Sequence, residues 1–216
     1  MQTVVVVSQK GGTGKTTLAV HLAVESERNG KPAVIIDIDP QASASAWRDL
    51  RRAGVGPAVQ SAQSARLGPI LKASAEAGAK LVLIDTPARS ENPALDAIRA
   101  SDLALVPCRP GYFDTAAIRF TSNLLKLAGK PGFVVFSQVP ARAEGLLAEI
   151  REVLAGYELA VAPVSIHLRA AYLHSIPGGQ AAQEYDPKGK ATSEIRDLFR
   201  WLDVTMAKQL AGKIAK

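Results

Sequence analysis

The chain of 216 residues has a single cysteine, Cys108, so it can form no internal disulfide and no cysteine-based metal cluster. Aromatic residues supply only 5% of it and apolar residues 47%, so its core is aliphatic. That mix suits a buried parallel sheet flanked by helices better than an all-β sandwich. No apolar run approaches the roughly 20 residues that a bilayer-spanning helix needs. No basic stretch precedes the first apolar run, which is strand-length and unlike a secretory leader. These absences fit a reducing compartment, and the expected location is the cytoplasm. Histidine is scarce as well: His21 reads as structural, and His167 and His174 lie seven residues apart with no third ligand nearby. Repeats, low-complexity tracts and linkers are all missing, which predicts one domain over residues 1–216.

What is present alternates between two periods. Residues 3–8 form a β-branched run that reads as a buried strand. In 15–29, Leu18, Leu22 and Ala23 recur at helical spacing and Gly30 ends the helix. Further strands are expected at 33–37, 80–84, 103–107, 133–137 and 158–162. Helices are expected at 42–53, near 65–77, near 93–100, and at 114–128, 143–155 and 190–211. A stretch around Gly54, Gly56 and Pro57 has no pattern. Strands alternating with helices predict an α/β fold, a mostly parallel twisted sheet with helices on both faces. In such sheets ligands bind beyond the carboxyl ends of the strands.

The residues that carry chemistry fall at those ends. Gln9-Lys10-Gly11-Gly12-Thr13-Gly14-Lys15-Thr16-Thr17 follows a strand and opens a helix, the setting of a phosphate loop. Glycines let backbone N–H groups turn inward around phosphate oxygens, and the helix N-terminus favours the anion. The predicted nucleotide contacts are Lys10, Gly11, Gly12, Thr13, Gly14, Lys15, Thr16 and Thr17. Lys15 should reach the β- and γ-phosphates and Thr16 should offer its hydroxyl to Mg²⁺. The second strand ends Asp37-Ile38-Asp39-Pro40-Gln41, and alternation puts Asp37 and Asp39 on one side, where they could serve Mg²⁺ and water. Asp39 also stands where a helix cap is expected. The run Leu81-Val82-Leu83-Ile84-Asp85 ends in a carboxylate suited to hold Mg²⁺ through water.

The loop lacks the usual first glycine, and Gln9 stands in its place with Lys10 beside it. This K-G-G-x-G-K-[ST] form resembles the deviant Walker A motif of the ParA/MinD family of P-loop ATPases. Asp37-Ile38-Asp39-Pro40-Gln41 is similar to the family's D-x-D-P-Q motif. Ile166-His167-Leu168-Arg169, Gly179-Gln180 and Tyr185-Asp186-Pro187-Lys188-Gly189-Lys190-Ala191 resemble its C-terminal part. The likeness spans nearly the whole chain and is greatest to small plasmid-type ParA members without an N-terminal DNA-binding extension.

Several expectations come with the resemblance. The fold is a single-domain P-loop NTPase, the cofactors are ATP and Mg²⁺, and ATP drives a homodimeric sandwich. Lys10 crosses to the partner subunit's ATP, Asp39 positions the attacking water, and Asp37, Thr16 and Asp85 surround the metal. Lys10, Lys15 and Asp39 are thus the catalytic set. Residues 86–92 form a switch loop that senses the γ-phosphate, although Pro87-Ala88-Arg89-Ser90 departs from the frequent family pattern. Adenine lies near residues 137–138 and 163–165, where Ser137-Gln138 replaces a frequent asparagine. The expected partners are non-specific DNA, which would bring the protein to the nucleoid, and a ParB-like or other adaptor.

The DNA candidates are Arg169, Lys188, Lys190, Arg196 and Arg200, within a C-terminal region whose residues 187–216 carry seven basic and three acidic side chains. The same charges read equally well as a solvated helix face, and the net charge of +6 reads equally well as a solubility device. A membrane is the disfavoured partner. Ile195, Leu198, Phe199, Leu202, Met206 and Leu210 form a stripe followed by tail lysines, but it begins too early for an anchor and reads as a core face. One cysteine argues against an iron-protein relative, and the D-x-D-P-Q segment argues against the related ligases.

Overall fold

The computed structural model describes residues 1–214, and the side chains of all of these except residues 112, 113 and 212–214. The side chain of Lys213, and the whole of Ala215 and Lys216 at the end of the predicted domain and basic tail, therefore lie outside what is described.

Five long apolar segments make the middle of the sheet: β1 (Gln2–Val6), β2 (Ala33–Asp37), β4 (Leu81–Asp85), β5 (Leu103–Cys108) and β6 (Gly132–Phe136). Two short segments, β3 (Ala58–Ser61) and β7 (Ala160–Val161), form its edges. All pair in parallel in the order β3-β2-β4-β1-β5-β6-β7. The alternation of side chains along β1 divides the core in two. Val4 and Val6 pack under one layer of helices and Val5 and Val7 under the other.

The first layer holds α1 (Lys15–Arg28), α2 (Ser43–Leu50), α7 (Ala170–Ser175), α8 (Ala182–Tyr185) and α9 (Lys190–Ile214). The second holds α3 (Leu67–Glu76), α4 (Glu91–Ala100), α5 (Tyr112–Ala128) and α6 (Glu144–Ala155). From β1 the chain moves to one side through β2, β3 and β4, then crosses over β1 to β5. The loop after β1 therefore sits where the direction of winding reverses, which is where such sheets open a crevice.

Helix α1 is sheathed on nearly every side, from Leu18 to Ser26. His21 is fully buried, its Nδ1 lies 2.6 Å from the Thr17 carbonyl, and its ring meets Tyr172 edge-on. Burial holds its pKa down at about 4, so it stays neutral and structural. Trp47 is buried and donates its indole N–H to the Gln180 carbonyl, the packing role expected of it. Cys108 ends β5 in the core, where burial raises its thiol to about 12 and leaves it unreactive. The apolar stripe of α9 is a core face, as read from the sequence. Ile195, Leu198, Phe199, Leu202 and Met206 are all buried and only Leu210 is exposed. Among the described residues no helix is long and apolar enough to cross a membrane.

Several boundaries differ from the sequence expectation. The helix predicted over 42–53 stops at Leu50, because Arg51 turns to extended backbone. Its guanidinium is held by the carbonyls of Gly56 and Gly179 and by both oxygens of Glu184. The unpatterned stretch contains β3, an edge strand whose mostly exposed side chains carry no apolar signal. The strand predicted over 158–162 shrinks to two residues, with Glu158 before it in left-handed backbone. The short helices α7 and α8 are too brief to show a period, and sequence reading missed them.

Candidate nucleotide-binding site

The phosphate loop is shaped by two left-handed glycines. Gly12 has φ 72° and Gly14 has φ 89°, conformations in which a side chain would be strained. Helix α1 starts directly after Gly14 with no side-chain cap, so its first amides retain their donor capacity for an anion. Ser8 and Thr13 brace the turn. The Lys10 N–H donates to Ser8 Oγ at 3.3 Å and the Thr13 hydroxyl donates to Ser8 Oγ at 3.0 Å. The loop borders a cavity of about 600 Å³ lined also by Asp39, Pro40, Gln41, Pro87 and Ala88.

The parallel register brings the acidic strand ends together, with Val6, Asp85 and Asp37 side by side on β1, β4 and β2. Thr16 donates its hydroxyl to Asp85 Oδ2 at 2.6 Å, so the two predicted metal-site groups meet. Asp85 is fully buried, and no described donor reaches its Oδ1. Burial raises its pKa to about 7, against the Thr16 hydrogen bond and nearby Lys15, which lower it. A buried hydroxyl–carboxylate pair with one unsatisfied oxygen fits a hydrated Mg²⁺, whose other ligands would be water and phosphate. Among the described residues no cluster of three or more metal-binding side chains exists, so the protein offers this pair rather than a dedicated cage. Lys15 is also buried, and desolvation lowers its pKa while Asp85 and Asp39 raise it.

Asp37 is the first correction. Its Oδ2 accepts from the N–H and the hydroxyl of Ser45, and its Oδ1 accepts from the Asp39 N–H. The carboxylate thus anchors the first turn of α2, Asp37 is not among the residues lining the cavity, and its charge lies close enough to act on Asp85. The cap expected of Asp39 belongs to Asp37 instead. Asp39 accepts from Gln41 N–H in a tight turn and lines the cavity.

Residues 86–89, within the segment expected to act as a switch, lie against the glycine loop and β1. Arg89 takes a left-handed φ of 56° and donates its N–H to the Gln9 carbonyl at 3.2 Å. The Thr86 hydroxyl donates to the Val6 carbonyl at 2.9 Å. A side chain on Gly11 would touch Ala88 at 4.0 Å. The Pro87-Ala88-Arg89 sequence is accordingly small where it faces the glycines, a role that sequence reading did not assign.

A second cavity of about 170 Å³ adjoins the first through Gly14 and Thr17. Ser137 and Gln138 line it as expected for a base pocket, but its other wall is Ile166, His167, Leu168 and Arg169 rather than 163–165. Gln138, with φ 51°, donates its side-chain amide to the Gly12 carbonyl at 2.6 Å, a contact between the second cavity and the glycine loop missed in the sequence.

The DNA candidates separate into two groups. Arg169 lines the second cavity and pairs with Glu194 at 2.7 Å, alongside His167. Arg196 lies 4.0 Å from buried Glu25, and Arg200 lies 3.6 Å from Asp197. Each of these three arginines therefore has an acidic neighbour within its own chain. Lys188 and Lys190 are exposed at the turn that opens α9.

Comparison with known proteins follows the same lines. The "CobQ/CobB/MinD/ParA nucleotide binding domain" family matches residues 4–177. The "Maintenance of carboxysome distribution protein A" of Gloeobacter kilaueensis is 32% identical over 176 residues, 78% of this chain and 80% of that protein. The ParA protein of Rhizobium radiobacter is 34% identical over 118 residues, 53% of this chain and 51% of that protein. Among solved structures, MinD of Pyrococcus horikoshii with Mg-ADP superposes with a TM-score of 0.77 at 17% identity, covering 96% of this chain and 98% of that one. The ATP complex of an McdA variant from Cyanothece gives 0.72 at 19% identity, covering 94% and 96%. These structures share the sheet-and-helix fold. With that match spanning the glycine loop, both acidic strand ends and most of the residues lining the second cavity, the chain belongs to the ParA/MinD family of nucleotide-binding domains.

Proposed function

We propose that this protein is an ATP-dependent dimerising switch of the ParA type, which binds DNA non-specifically as the ATP dimer and hydrolyses ATP when an adaptor stimulates it. The observation that carries this reading is the opposite fate of two lysines on one loop. Lys15 is buried against the acidic strand ends, whereas the Lys10 side chain is 32% exposed at the loop's outer edge. An inward cation serves its own nucleotide. An outward one is placed to serve a neighbour, as a trans-acting cation does when it stabilises charge developing in a transition state.

Each residue then has a task. The loop amides and Lys15 hold the β- and γ-phosphates. Thr16 and Asp85 would hold Mg²⁺, the carboxylate through water, and the bound metal would supply charge neutralisation to the phosphates. Asp39 accepts a hydrogen bond from the attacking water and orients it. Lys10 of the partner subunit approaches from across the dimer. The expected setting is the cytoplasm, with the ATP dimer on the nucleoid. The cargo, moved through a ParB-like or other adaptor, is a plasmid, a chromosome region or a protein assembly.

Asp39→Ala is expected to trap an ATP-bound dimer, read as a doubled mass by light scattering after size exclusion with ATP and Mg²⁺. A variant that stays monomeric, or that turns over ATP like the parent, refutes the role given to Asp39.

For DNA, a mobility shift seen with ATP but with neither ADP nor the free protein is expected. The exposed pair decides its location. Lys188→Glu with Lys190→Glu should weaken the shift by about tenfold or more and flatten its salt dependence, since each phosphate contact releases counterions. An unaltered shift with an intact ATP dimer moves the DNA face elsewhere.

A further inference from the structure

Lys10 has a partner within its own chain. Its Nζ lies 2.9 Å from Oδ2 of Asp114, in the first turn of α5. The other oxygen, Oδ1, receives the Nε–H of Arg109 at 2.9 Å, and Arg109 Nη2 lies 3.5 Å from Oδ2. The carboxylate is nearly buried, at 10% exposure, while both cations stay about one third exposed. Burial alone would raise the Asp114 pKa, but the two cations outweigh it and hold it below the usual carboxylate range. Asp114 is therefore ionised, and a helix N-terminus adds a further favourable field.

We propose that Asp114 is a latch that holds Lys10 in its own subunit and that Arg109 sets how readily the latch lets go. This rests on the trans role given to Lys10 above. An ammonium paired with a carboxylate projects little net field, so Lys10 cannot act fully on a neighbouring triphosphate until Asp114 releases it. Release from a lone buried carboxylate would strand a charge. Here Arg109 stays on Asp114 when Lys10 departs, so the carboxylate keeps a counter-ion and the lysine leaves at small cost. The cluster therefore makes a positioning device of two residues with opposed effects. Asp114 restrains the lysine, and Arg109 weakens that restraint by sharing the carboxylate.

The opposed signs supply the test. Asp114→Asn removes the charge but not the shape and should tighten the dimer formed with Mg²⁺ and a non-hydrolysable ATP analogue. A partly exposed pair is worth about threefold, and two latches per symmetric dimer multiply to roughly tenfold in the dimer dissociation constant by analytical ultracentrifugation. Arg109→Gln leaves Asp114 with Lys10 as its main counter-ion and should loosen the dimer several-fold. The double variant should match Asp114→Asn within about twofold. If the cluster were merely structural, both single variants would lose thermal stability and both would weaken the dimer, and that result overturns the latch. A parent protein that dimerises, with Asp114→Asn no tighter, overturns the latch alone. A parent that binds the analogue and stays monomeric at every concentration overturns the trans role of Lys10, and the latch falls with it.

Discussion

Lys15→Ala is expected to weaken ATP binding by at least about a hundredfold while leaving the nucleotide-free chain as stable as the parent. Lys15 is buried, at 7% residue exposure, and the hydrogen bond from its ammonium to the Lys10 carbonyl is long at 3.5 Å. Desolvation lowers its pKa, so without nucleotide it is an under-satisfied buried cation, eased by the charges of Asp85 and Asp39. Removing it relieves the desolvation, which is the larger effect, and forfeits the attraction, so the nucleotide-free fold loses no electrostatic stability. With a triphosphate present the balance changes. Charge-assisted hydrogen bonds to phosphate oxygens contribute about 1.5–3 kcal/mol each. Two of them amount to about two orders of magnitude in affinity. Calorimetric titration reads the affinity and a thermal melt reads the stability. Binding within threefold of the parent, with an unaltered melt, would mean that the loop is not the phosphate site.

Asp85→Asn should likewise divide function from stability. Asparagine can still accept the Thr16 hydroxyl, but it brings no charge to Mg²⁺, so metal-dependent hydrolysis should fall by about a hundredfold or more. The nucleotide-free variant should nevertheless melt higher at pH 8, by roughly 5 °C. Burial raises the Asp85 pKa from 3.8 to about 7, so the folded parent holds a proton that the unfolded chain has lost across that window. Parent stability therefore falls as pH rises from about 4 through 7. The advantage of the variant should be full above about pH 7 and should fade toward pH 4. Melting curves across that range, without nucleotide or metal, measure it. A variant that gains nothing at pH 8 would mean that the carboxylate is better solvated than its burial implies.

The parts of the site that depend on chain order were legible in the sequence. Glycines at 11, 12 and 14 before a helix specify a phosphate loop whatever surrounds them, and a β-branched run ending in Asp85 specifies a strand with a carboxylate at its tip. The family likeness added the roles of Lys10 and Asp39. Parts that depend on tertiary distance were hidden. Asp37 and Asp39 share a side of β2 by alternation, yet Ser45 claims the first carboxylate across a turn. The charges of Arg169 and Arg196 looked free in sequence, but Glu194 and Glu25 meet them across helices. Strand β3 was missed because an exposed edge has no apolar alternation to display. Asp114 looked like an ordinary first-turn acid, because only the fold brings it to a lysine 104 positions earlier.

The grip of Arg51 has a mechanical meaning. Helix α2 follows directly on the Asp39 turn, and Arg51 just beyond its end is clamped to Glu184 of α8 and to the Gly179 carbonyl. The fit is close enough that one added carbon on Gly179 would strike the Arg51 backbone at 2.6 Å. Helix α2 therefore cannot slide independently. A displacement that starts at the Asp39 turn must either tear a two-pronged ion pair or drag α8 along. Asp186, at the end of α8, holds the Thr192 hydroxyl through its carbonyl, and Lys188 and Lys190 lie between them. A movement of the Asp39 turn is thus coupled, through α2 and α8, to a segment that carries two exposed lysines, Lys188 and Lys190.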